Sequence, residues 1–130
     1  MKLSTVFTAS AVLMIILGLA QLLAAAAMLS SFVNDSMPST AFLMTIRFSG
    51  VEMLGLGLIA WFVRNTDASK ARDAVALGFT IYFALHALTS LYGQFSDTST
   101  SLHWLMALIQ AAFAIAFFVT GKAAMSSDKG

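Results

Sequence analysis

Six side chains in an otherwise apolar chain could do chemistry: Gln21, Arg47, Glu52, Tyr82, His86 and Gln110. A carboxylate, a phenol and an imidazole exchange protons, and two carboxamides and a guanidinium hold hydrogen bonds or an anion. None of the six falls in a motif with known mechanics. There is no HExxH, no GxSxG and no glycine-rich phosphate loop. The chain has no cysteine, which excludes disulfides, thiolate metal sites and cysteine nucleophiles. His86 and His103 differ in depth by roughly 10 Å along their helices, too much for a shared haem. The eight methionines are scattered without paired spacing, so a copper site is not expected either. The expectation is no catalysis, no metal and no cofactor.

The elements that carry these residues follow from composition. Of 130 residues, 59% are hydrophobic and 10% charged, with mean hydropathy +0.87. A soluble domain carries about 25% charged residues, so this chain cannot clothe a core in polar groups. A net charge of +1 without a clustered basic face excludes a nucleic-acid partner. Four stretches meet the roughly 20-residue requirement for crossing a bilayer: about 5–29, 41–63, 74–95 and 102–120. The connections between them carry turn residues, with Asn34-Asp35 and the single Pro38 in the first, Asn65–Asp67 in the second and Ser96–Ser101 in the third. The reading is an all-α membrane protein of one domain over 1–130. Its expected form is an up-down-up-down four-helix transmembrane bundle.

Basic residues set the orientation. Lys2, Arg64, Lys70, Arg72, Lys122 and Lys129 flank one side of the spans, and Asp35 and Asp97 the other. Positive residues stay on the cytoplasmic side, so both termini are expected there. A competing reading takes Met1-Lys2 and the apolar run ending at Ala24–Ala27 as a cleaved signal peptide, although that run exceeds the usual 7–15-residue core. Trp61, Tyr92 and Trp104 fall near span ends, as an interfacial belt requires.

Depth then groups the polar residues. At 1.5 Å per residue Glu52 lies at the midplane, His86 and Gln110 about 3 Å from it, and Gln21 and Arg47 about 6–8 Å. Each span thus places a polar group in one slab about 8 Å thick, whereas His103 lies at the outer interface. On the third span Phe79, Tyr82, His86, Thr89 or Ser90, and Gly93 form one polar stripe, and Glu52 shares its side of the second span with Gly55 and Ile59. Arg47 and Glu52 are about 140° apart around their helix and cannot pair by the i,i+4 rule. The slab is a candidate ligand or ion site. The alternative is structural: carboxamides and an imidazole tie helices together, and Arg47 snorkels to headgroups. Small residues at Ala20, Ala24 and Ala27, at Ala107, Ala111 and Ala114, and at Gly50 and Gly57 mark expected close helix contacts.

One segment resembles a known group. Arg47-Phe48-Ser49-Gly50, the run Leu54-Gly55-Leu56-Gly57-Leu58-Ile59-Ala60-Trp61-Phe62-Val63-Arg64-Asn65, the Asp67…Ala71-Arg72 loop and the Gly78-Phe79 pair resemble small four-span bacterial membrane proteins of the DoxX-like group. The resemblance implies a four-helix membrane protein, some of whose relatives are subunits of quinone-linked respiratory enzymes, and it transfers no catalytic role to Arg47, Glu52 or His86. The leading expectation is a non-catalytic accessory or scaffolding component of a membrane complex. Its partners would be the lipid bilayer and either a second copy or a complex subunit. The alternatives are a carrier or channel for a small solute, ion or proton, and a quinone-associated redox subunit.

Overall fold

A computed structural model describes residues 2–32, 39–95 and 101–127. Asn34-Asp35, Pro38, Asp97 and Lys129 lie outside the described residues. Among those described, five helices account for the fold: α1 (Leu3–Leu23), α2 (Ala25–Phe32), α3 (Thr40–Val63), α4 (Lys70–Gln94) and α5 (Leu102–Ser127). Four of them, α1, α3, α4 and α5 up to Ala124, are long and apolar enough to cross a membrane. Most of their surface faces outward, with Leu23, Phe62, Leu88 and Leu108 all strongly exposed. Water would not tolerate such a surface, and lipid does.

Helix ends follow local chemistry. Ser39 and Ser69 are N-caps whose side chains accept from the Phe42 and Arg72 amides, each at 3.2 Å. The Ser69 cap explains why α4 begins at Lys70, four residues ahead of the apolar stretch at 74, with Asp73 in its first turn complementing the helix dipole. No proline or repeated glycine interrupts 121–127, so α5 continues past the expected end at 120. The expected single first span, 5–29, is instead divided. Ala24 leaves helical geometry at φ −129°, ψ 41°, and α2 restarts at once. Its carbonyl still accepts from the Met28 amide at 2.9 Å, so the chain bends there with its backbone bonding continued.

Packing pairs α1 with α3 and α4 with α5, while α1 and α2 make lesser contacts with α5. The α1–α3 pair is a glycine contact. A Cβ at Gly18 would lie 2.8 Å from the Gly50 carbonyl oxygen, and one at Gly57 would lie 2.9 Å from the Ile15 side chain. The buried stripe of α1 is Ser10, Ala11, Met14 and Gly18. The alanine stripe expected to pack misses this contact, because Ala24 and Ala27 are exposed beside the bend. On α5 the expected stripe does turn inward, with Ala107 and Ala114 buried.

Aromatic rings join the two pairs. Phe117 of α5 lies 5.1 Å from Phe7 of α1 and 5.3 Å from Phe79 of α4, and Phe83 stacks on Phe113 at 5.0 Å. Each such pair adds about 0.5–1.5 kcal/mol beyond the area it buries.

Candidate functional site

Helices α3 and α4 follow one another through the short connection 64–69, yet their backbones scarcely approach. Between them runs a groove of about 350 Å³, walled by Leu56 and Ile59 from α3 and by Val75, Gly78, Phe79 and Tyr82 from α4. The groove exists because each wall helix spends its close-packing face elsewhere. Gly50 and Gly57 hold α3 to α1, and the buried residues Phe79, Phe83 and Ala87 turn α4 toward α5 and the core. Gly78 opens the α4 wall, since a Cβ there would meet nothing within 4 Å.

Of the candidates expected from the sequence, Tyr82 lines this groove, His86 packs against Tyr82, and Glu52 lies one turn from the groove residue Leu56. Glu52 precedes Leu56 and Ile59 by one and two helical turns, on the same side of α3. It lies about 17 Å along α3 from Val63, and Tyr82 lies about 18 Å along α4 from Lys70, so the two share a level. The Tyr82 and His86 rings are 4.3 Å apart between centroids and tilted by 42°. Tyr82 and His86 are half-buried, and Glu52 is exposed at the surface of the chain. The arrangement is an apolar trough with a phenol, an imidazole and a carboxylate at its mid-span level. Chemically it can donate and accept hydrogen bonds and take up a proton.

The other candidates lie elsewhere. Gln110 accepts from the Ser90 hydroxyl at 2.9 Å and ties α5 to α4. Gln21 packs its Cβ 3.0 Å from where a Gly50 Cβ would stand, and its Oε1 is buried without a hydrogen bond among the described residues. Arg47 is exposed and directs Nη1 to the Met44 sulfur at 3.7 Å. The six polar groups therefore do not gather at one centre. The middle of the bundle belongs to phenylalanine.

Near the ends of the helices, His103 stacks over Gly93, with Cδ2 2.9 Å from where a Cβ would be. Trp104 meets Phe95 at 6.0 Å. Arg64 lies 3.3 Å over the Trp61 ring and donates to the Trp61 carbonyl at 2.8 Å. Among the described residues no group of three His, Asp or Glu side chains could hold a metal.

Sequence reasoning passed over Gly78 as a site residue, and the groove walls Leu56, Ile59 and Val75 carry no signal in a span where nearly every residue is apolar. The i, i+4, i+7 spacing of Glu52, Leu56 and Ile59 was the one available clue. No family model, curated protein or solved structure matches this chain.

Proposed function

We propose that this multi-pass membrane protein is a non-catalytic component of a bacterial inner-membrane assembly, and that the α3–α4 groove receives its partner. The observation that carries this reading is Glu52, a carboxylate exposed at mid-span beside an open groove. Lipid offers no hydrogen bonds, so an exposed carboxylate at that level calls for a protein neighbour or a bound molecule. We place both termini in the cytoplasm by the distribution of Lys and Arg. An up-down-up-down course is supported by opposite residue order across each helix pair: Gly18 lies by Gly50 and Ile15 by Gly57, while Ser90 meets Gln110 and Phe83 meets Phe113.

The test is purification in mild detergent of the wild type and of Gly78→Leu. The substitution fills the groove where there is open space, so folding is kept. Wild type should emerge with a stoichiometric partner or as a homo-oligomer, and Gly78→Leu as the lone chain. A monomeric wild type, or an unchanged assembly in the variant, contradicts the reading.

A second reading, a quinone-associated subunit, is favoured by the Tyr82–His86 pair, whose O–H and N–H can donate to a carbonyl oxygen in a trough open to lipid. Quinone should then co-purify with wild type and be lost from Gly78→Leu. The carrier reading draws on the same Glu52, but the bundle centre is filled by Phe7, Phe79, Phe83 and Phe117. Proteoliposome flux equal in wild type and Glu52→Gln would remove it.

A further inference from the structure

The basic end of the bundle holds a second site, independent of the α3–α4 groove. Lys2 and Ser4 at the start of α1, Arg72 in the first turn of α4, and Thr120 and Ala123 near the end of α5 line an open hollow of about 380 Å³. Three features suit it to an anion. Two cationic side chains from different helices line it. One of these charges is held in place, since Nη2 of the partly buried Arg72 donates to the Arg64 carbonyl at 3.4 Å. Finally, Lys2 occupies the N-cap position of α1 and gives no side-chain acceptor to the first amides, so the positive end of the helix dipole faces a lysine. The crowding of positive charge, with no carboxylate among the described lining residues, favours a bound anion. Asp73, the acid of the same α4 turn, lines a different hollow shared with Lys122.

The hollow does not stand alone. Thr120 and Ala123 also belong to an apolar furrow of about 620 Å³ along α5, which continues through Ala116 and Val119 to Ala112. From Ala123 to Ala112 the furrow follows the helix for about 17 Å. A basic mouth at the membrane surface thus leads onto a mostly apolar strip of α5, with Ile115 and Val119 beside the alanines, that runs into the span. Basic pockets between transmembrane helices are suited to lipid headgroups.

We propose that this end of the molecule binds an anionic phospholipid, with its phosphate between Lys2 and Arg72 and an acyl chain along the furrow. The chemistry recognised is a phosphate ester carrying net negative charge. A zwitterionic headgroup would bring its own cation into a hollow that already holds two.

The full chain in neutral detergent tests this by native mass spectrometry and thermal melting, with phosphatidylglycerol, phosphatidylcholine or inorganic phosphate added. Phosphatidylglycerol should remain bound and raise the melting temperature, and phosphatidylcholine at equal concentration should not. Lys2→Gln and Arg72→Gln should each weaken phosphatidylglycerol binding about tenfold, the loss of one charge-assisted hydrogen bond. Lys70→Gln, two residues before Arg72 at the same basic end but outside the hollow, should leave it unchanged. Should Arg72→Gln fail to fold, Lys2→Gln, which precedes the first helix, decides. Equal binding of the two lipids, or wild-type binding by Lys2→Gln, overturns the proposal. Inorganic phosphate acting as strongly as phosphatidylglycerol overturns the lipid assignment.

Discussion

Glycine has opposite meanings at different positions of this chain. At Gly50 and Gly57 the absent side chain admits the backbone and side chains of α1, while at Gly55 and Gly78 a Cβ would meet nothing within 4 Å. Gly57→Ala should therefore lower stability by about 1–3 kcal/mol through overpacking. Gly55→Ala should raise it by about 0.5–1 kcal/mol, because an open helical glycine costs backbone entropy alone. Thermal melting in detergent separates the two, and equal shifts would contradict the glycine contact. The polar residues divide in the same way. Gln110 is a tie to Ser90, and Ser90→Ala should cost roughly 0.6 kcal/mol, the usual worth of such a bond between membrane helices. Residue counts along each helix set Glu52 and His86 about 3 Å apart in depth, whereas in the structure it is Tyr82, one turn before His86, that is level with Glu52. That Gln21 and Arg47 stand apart from them was not legible, because rotation about a helix axis is set by packing, and the sequence shows no polar face to fix it.

At the scale of the element, hydropathy alone placed the four long helices, and serine caps with a first-turn aspartate explain where α4 starts. The break at Ala24 had no such signal. It falls within the run Ala24–Ala27, with no proline or glycine near to mark it. The choice of partners was equally hidden. In water the buried stripe of a helix differs from the rest in polarity, but here Ala11 and Met14 are buried and Val12 and Ile16 exposed, with no contrast in kind. Only the small residues of α3 and α5 foretold contact, and they did so correctly at Gly50, Gly57, Ala107 and Ala114. The helix pairs are held to one another by rings, with Phe117 as their hub. Phe117→Ala should thus lose about 3–5 kcal/mol. A loss below 1 kcal/mol on thermal melting would place the coupling between the pairs elsewhere.

Taken whole, the molecule is open on one side. Helices α1 and α3 form one packed unit and α4 and α5 another, and the short connection 64–69 is the covalent link across the groove. That division gives the chain a natural point of severance. Each half, if made as a separate polypeptide ending or starting between Asn65 and Ala68, keeps its own helix-to-helix contacts intact. The halves would still recognise each other through Phe7 on one side and Phe79 and Phe117 on the other. Co-expressed fragments should consequently reassemble in the membrane and purify together on a single tag, and Phe117→Ala should uncouple them. Cleavage within α4 would instead sever a packed pair and leave nothing to recover. The same feature that leaves room for a partner would make this protein separable into two cooperating genes' worth of chain.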